Sequence, residues 1–373
     1  MAESADRYNF HLIMLEPFKQ FVDSISSPVT IFTSATVIFF LFVTFPRQAT
    51  SKPVSLAILA LILGFFGIGL TDKHFRDIVS TPDNVPIVGL IFIFGYFTWY
   101  AMKKAVENDR RMEKGEPTIE QLETNDKVLV FPYLIFIEFV IALAYAVALV
   151  LWSIFLKAPL EEPANPTVSP NPSKAPWYFL GLQEMLVYFD PWIAGVLLPT
   201  FIILGLCAIP YIDRDPSTSG YYSFKGRKAA ITTYLFGFWI LWILLIIMGT
   251  FLRGPNWNFF GPFEVWDVHK VIPLVNVNLS EIIFIKWLSL GLPKQWFIRE
   301  APGIFLVLFY LIVPPAILAK TLFKNVFKKL GPVRYSVLIM LLLMMTALPI
   351  KMYLRWAFNL KYLVAIPEFF FNI

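Results

Sequence analysis

Eight stretches of this chain are apolar enough and nearly long enough to cross a lipid bilayer, which excludes most soluble folds at once. They cover residues 29–45, 54–70, 85–102, 128–156, 192–211, 230–252, 304–322 and 335–353. A spanning helix needs about 20 mostly apolar residues, so the first two sit at the lower limit. Composition agrees: 57% of the 373 residues are hydrophobic and only 15% charged, whereas a soluble domain carries roughly a quarter charged. The expected fold class is all-α, a polytopic transmembrane helix bundle of about eight spanning helices plus an amphipathic surface helix.

Prolines punctuate the pattern. Pro28, Pro46, Pro53 and Pro82 each mark a boundary, because proline is tolerated at helix ends and not in their interiors. Pro314 and Pro315 fall inside the seventh span and predict a kink. Before the first span, Phe10, Ile13, Phe18, Phe21, Val22 and Ile25 form a loosely helical apolar pattern. It suits either a segment lying in the membrane interface or an ordinary helix packed on the bundle.

Lysine and arginine set the orientation. Lys103, Lys104, Arg110, Arg111 and Lys114 follow the third span, Arg214, Lys225, Arg227 and Lys228 the fifth, and Lys320, Lys324, Lys328, Lys329 and Arg334 the seventh. With eight spans these loops share one side with Arg47 and Lys52, the expected cytoplasmic side. Both termini and the loop 254–301 then face the opposite, positive side. The chain divides into an interfacial segment 1–27, three spans over 28–105, a charged cytoplasmic linker 106–127, three spans and a proline-rich loop over 128–253, a positive-side loop 254–301, and two spans over 302–373. Within 254–301, residues 282–290 form an apolar run too short to span and predict a surface-lying or re-entrant helix.

Several chemistries are excluded. Cys207 is the only cysteine, so the chain has no internal disulfide, no thiolate zinc site and no C-x-x-C-H haem attachment. The three histidines, His11, His74 and His269, sit in polar or interfacial segments and make no haem-ligating pair. No phosphate loop, dinucleotide fingerprint or metal-ligand spacing is present. The net charge of +5 reads as topology, since the basic residues collect at helix ends and form no nucleic-acid stripe. The acidic start (Glu3, Asp6) lacks a basic n-region, so no cleaved signal peptide is expected. His74 with Lys73 and Arg76 reads as a solvated polar cluster. His269 beside Asp267, next to tryptophans, reads as a loop histidine.

Residues 162–192 carry the most information. A proline-rich segment turns at Pro176 into an amphipathic helix that opens with Trp177, Tyr178 and Phe179, and the chain re-enters the membrane at Trp192. Aromatic rings favour the membrane–water boundary, and this arrangement builds an apolar shelf suited to a flat quinone ring. A plain interfacial connection gives the same spacing.

This stretch resembles the loop around the Pro-Glu-Trp-Tyr motif of cytochrome b, and most closely its separate C-terminal half, subunit IV of chloroplast-type cytochrome bf complexes. The resemblance rests on Glu162-Pro163-Ala164-Asn165-Pro166, Trp177-Tyr178-Phe179 and the run from Gly195 to Leu198. Upstream it rests on Asn125-Asp126 and Phe131-Pro132, downstream on Arg227, Lys228, Ala230, Thr232 and Thr233. It covers about residues 125–253.

The resemblance implies a haem-free subunit contributing to the quinol-oxidation site of a quinol–cytochrome c oxidoreductase. Quinol is then the substrate, bound by Pro176, Trp177, Tyr178 and Phe179. Implied partners are a cytochrome b N-terminal-type subunit carrying b-type haems, a Rieske iron–sulfur protein and a c-type cytochrome or similar acceptor, in a dimeric complex within membrane lipid. The family glutamate that accepts a quinol proton is replaced by Pro176, so that role does not carry over. Glu184, seven residues beyond Trp177 on one helix face, is an alternative acceptor, or else pairs with a basic residue of another subunit. Tyr178 keeps its motif place.

An acid within the fourth span, Glu138, costs roughly 2.5–3.5 kcal/mol to insert. With Phe131, Arg227 and Lys228 it is expected to border a quinone-reduction site, or else to pair with a partner subunit. A secondary transporter and a non-catalytic scaffold are the rival readings. The first lacks the paired broken helices that it needs, and the second draws on Pro176.

Overall fold

The computed structural model describes residues 16–123, 128–156, 163–213 and 218–373. Expectations placed on Phe10, His11, Ile13, Asn125, Asp126, Glu162 and Arg214 lie outside them. Among the described residues seven helices are long and apolar enough to cross a membrane, or eight if one bent pair counts as a span. The chain is an integral membrane protein built almost wholly from helices.

The bent pair is α1 (Glu16–Ile25) and α2 (Pro28–Thr44), which meet at 88°. Ser27 caps α2 by accepting from the Thr30 amide, and Pro28 opens it, a start that suits a residue without an N–H. Thus α1 lies across the end of the bundle as an interfacial helix would, yet Lys19 also pins it to Asp72 at 2.8 Å. The spans α3 (Lys52–Gly69), α5 (Val85–Glu113), α6 (Val130–Phe155), α8 (Ile193–Ile212), α9 (Phe224–Leu252), α10 (Ala301–Lys320) and α11 (Lys324–Phe358) follow. Among the shorter helices between them are α4 (Lys73–Ser80) and α7 (Trp177–Met185).

Helix α9 is the axis of the molecule: half of its apolar window is buried, against 28% or less in every other span. The core runs from Phe32 and Phe39 on α2 through Ile240, Leu244, Leu245 and Met248 on α9 to Leu348 and Met352 on α11. In contrast, α6 has no buried residue along its length. An apolar rod of that kind is covered by lipid or by another subunit.

The contacts between loops fall into two groups. On the side rich in lysine and arginine, Glu113 pairs with both Arg47 and Lys225, and Asp109 accepts from Ser223 at 2.7 Å. On the other, Asp23 accepts from the Phe263 amide at 3.0 Å, Asn171 donates to Asn256 at 3.0 Å, and Arg355 donates to Asn276 at 2.6 Å.

One expectation needs correction. Residues 106–123 are not an open linker: α5 continues to Glu113, and its Asn108 and Asp109 are buried against residues 222–225. Their charged neighbours hid a polar face that docks on another loop. The seventh span is helical through Pro314 and Pro315, and within α11 the backbone breaks at Gly331, whose φ of 74° is open to glycine at little cost.

Residues 279–287 form the predicted half-length helix. The chain ends in a small antiparallel hairpin, β1 (Ala365–Ile366) with β2 (Phe371–Asn372), anchored where the Ala365 amide donates to buried Glu300 at 2.9 Å. Gly303 lets this tail approach α10, since a Cβ there would stand 1.9 Å from the Leu363 carbonyl.

Candidate functional site

The sequence WYFLGLQEMLVY places Trp177, Leu180, Gly181, Glu184, Met185 and Tyr188 on one helical face, at spacings of three and four. That face turns inward. Leu180, Gly181, Glu184, Met185 and Tyr188 are buried, while Tyr178 and Phe179 stay about half exposed. Two glycines bring α7 close to α9. A Cβ on Gly181 would lie 3.2 Å from Ile246, and one on Gly249 3.1 Å from the Leu180 carbonyl. The outcome is a rigid ledge of three rings, with centroids 5.6 Å apart for Trp177–Tyr178 and 4.7 Å for Tyr178–Phe179. Pro176 caps the helix rather than entering it, and is exposed.

The ledge is held from three directions. Gln183 ties α7 back to the proline-rich loop, accepting from the Ala175 amide at 2.9 Å and donating to the Ser173 carbonyl at 2.8 Å. The C-terminal tail clamps its far end: Lys361 donates to the Leu186 carbonyl at 3.2 Å, and Tyr362 to Asp190 at 3.0 Å. The last two spans, which match no motif in the sequence, therefore carry the segment that braces the ledge.

The third hold corrects the reading of Glu184. Its carboxylate is fully buried and receives Arg253 in a two-pronged ion pair, Nε to Oε2 at 2.9 Å and Nη2 to Oε1 at 2.7 Å. Tyr188 adds its hydroxyl at 3.3 Å. Such paired geometry is among the strongest that charged side chains form. Glu184 therefore points away from the exposed rings, and its partner belongs to this chain rather than to another subunit. Trp177 and Glu184 do share a face, but it is the packed one.

Lys174 was not singled out from the sequence, where it looks like a loop lysine. Here its amine donates to the Thr250 carbonyl at 2.7 Å and lies 4.5 Å above the Trp266 ring. Burial, with the Arg253 charge beside it, pushes its pKa down to about 7; Glu184 opposes the shift. The unfolded chain keeps this proton up to its ordinary value of 10.5, and the native chain releases it near 7. Between those values the unfolded state binds more protons, so stability rises with pH. A Lys174→Met variant is expected to flatten that rise in melting temperature between pH 7 and 10. An undiminished slope would place the effect elsewhere.

Next to Lys174, Trp266 meets His74 edge-on at 5.6 Å. His74 is half-buried with its pKa lowered by that burial, not part of a solvated cluster. His269 is exposed. On the opposite side, the four residues expected around a quinone-reduction site are not assembled. Phe131 and Glu138 lie on exposed α6, Arg227 is paired with Asp213 at 2.6 Å, and Lys228 is exposed. No ion pair joins Glu138 to Arg227 or Lys228 among the described residues.

The fold and its ledge define a polytopic α-helical membrane subunit with an aromatic surface helix between two spans. Residues 163–263, about a quarter of the chain, match the family described as Cytochrome b(C-terminal)/b6/petD, so this segment is similar to that family. The match contains the ledge, Lys174, Glu184 and Arg253, and starts after α6, so the likeness at Phe131 and Pro132 stays outside it. No solved structure matches the chain.

Proposed function

We propose that the chain is a haem-free cytochrome b C-terminal-type subunit of a quinol–cytochrome c oxidoreductase, and that its ledge forms one wall of the quinol-oxidation site. The observation that carries this reading is the ring series Trp177-Tyr178-Phe179 inside the matching segment, with Tyr178 and Phe179 about half exposed. A quinol head stacks on such rings at the depth where its isoprenoid tail stays in lipid. Both electrons leave to metal centres on partner subunits, b-type haems on an N-terminal-type cytochrome b and a Rieske cluster, with a c-type cytochrome or similar acceptor beyond.

This chain's part is positioning and proton exchange. Tyr178 offers a hydroxyl at the ledge. Lys174, near neutrality in its proton affinity, is matched to exchanging a proton at physiological pH, whereas Glu184 is buried and engaged by Arg253. Phe131 and Glu138 face outward on α6, so a second, quinone-reducing site would be completed by a partner's surface. The scaffold reading draws support from the Glu184–Arg253 pair, which braces the segment without chemistry.

Purification through a tag on this chain separates the readings. The proposal expects a b-type haem absorbance band that added quinol reduces. A chain recovered alone, or with haem that quinol leaves oxidised, would count against it.

A further inference from the structure

The cytoplasmic-side end of the first three spans, outside the matching segment, holds a cavity of about 470 Å³. Arg47, Lys52, Lys103, Lys104 and Arg110 line it, with Tyr100 and a single carboxylate, Glu107. That carboxylate is engaged by Arg111 at 3.5 Å. Arg47 is neutralised in part by Glu113. The other four cations have no carboxylate within ion-pair distance among the described residues. Four unpaired cations around one cavity repel one another unless an anion joins them.

The surroundings say what kind of anion. Lys103 lies 5.0 Å over Trp99 and Lys104 5.3 Å over Tyr100, so the amines stand at an aromatic level of the type that marks the membrane–water boundary. Below them α3 and α5 present Leu56, Leu59, Tyr96 and Phe97 outward. A soluble anion would use the cavity and leave those apolar faces untouched. An amphiphile uses both, with its head among the cations and its chains along the two helices.

We propose that this cavity is a binding site for the phosphate headgroup of an anionic membrane lipid, seated between α3 and α5. It places a lipid at the join of the first three spans with the inner loop 218–225, since Glu113 links Arg47 of the cavity wall to Lys225. The proposal is independent of the quinol reading.

Native mass spectrometry of the purified assembly tests it, with dioleoyl phosphatidylglycerol as the probe and dioleoyl phosphatidylcholine and inorganic phosphate as comparisons. Phosphatidylglycerol is expected to remain bound, phosphatidylcholine not, and excess phosphate not to displace it. Each basic residue near a membrane surface contributes roughly a fivefold factor, so Lys103→Gln/Lys104→Gln/Arg110→Gln should weaken binding ~100-fold. Lys52→Gln, a milder change at an exposed position, should weaken it about fivefold. Lys286→Gln/Lys294→Gln, exposed on the other side, should leave it unchanged. Equal retention of phosphatidylcholine, displacement by phosphate, or full binding by the triple and Lys52 variants would each overturn the proposal.

Discussion

An Arg253→Leu variant of the assembly is expected to lose about 3–5 kcal/mol of stability, because it strands the Glu184 carboxylate in a site with no solvent access. Three contacts go at once: the two bonds to Glu184 and the one to the Trp257 carbonyl at 3.0 Å. Leucine fills some of the space but answers none of the charge. The double variant Glu184→Leu/Arg253→Met should recover most of the loss, since replacing a buried pair by apolar groups of similar volume is often neutral or better. Removing Arg253 also lifts a repulsion from Lys174 while Glu184 still attracts it, so the Lys174 pKa should rise. Thermal unfolding in detergent measures the first effect and its pH dependence the second. A single variant no weaker than the double would show that the pair does not hold the ledge.

Asp109→Ala is the second change with a large expected effect. Asp109 is 5% exposed and accepts from the Ser223 hydroxyl at 2.7 Å, the Phe224 amide at 3.2 Å and the Lys225 amide at 2.9 Å. The two amides belong to the first turn of α9, where helix donors lack intrahelical acceptors and a negative charge is favoured by the helix dipole. Asp109 thus caps the central helix from outside. Its removal leaves three donors without an acceptor, at a cost of about 3 kcal/mol. Asp109→Asn keeps one acceptor oxygen and loses the charge, so it should fall between. Melting temperature and proteolysis of the inner loop read the effect, and a wild-type-like Asp109→Ala would remove the cap from the account.

What could be read in advance follows the physics of each feature. Spans announce themselves because lipid demands long uninterrupted apolar runs. The ledge was legible from Pro176 and three successive aromatics. The partner of Glu184 was not, because Arg253 lies 69 residues away and only the docking of α7 on α9 brings them together. Gly181 and Gly249 permit that docking, yet a glycine in an apolar run carries no pairing information. Lys174 looked like any lysine in a proline-rich loop, and its burial depends on a second loop placing Trp266 beneath it. The inward face of α5 beyond residue 105 was masked by its charge, because Asn108 and Asp109 are polar whether they meet water or another loop.

The account's central claim is that the rings of α7 receive a quinol. Its most direct test is the rate at which added quinol reduces b-type haem in the assembly purified through this chain, before and after Tyr178→Ala/Phe179→Ala, the two half-exposed rings. The expected result is slowing of at least ~10-fold, with haem content and melting temperature retained. An unaltered rate in that variant would contradict the claim.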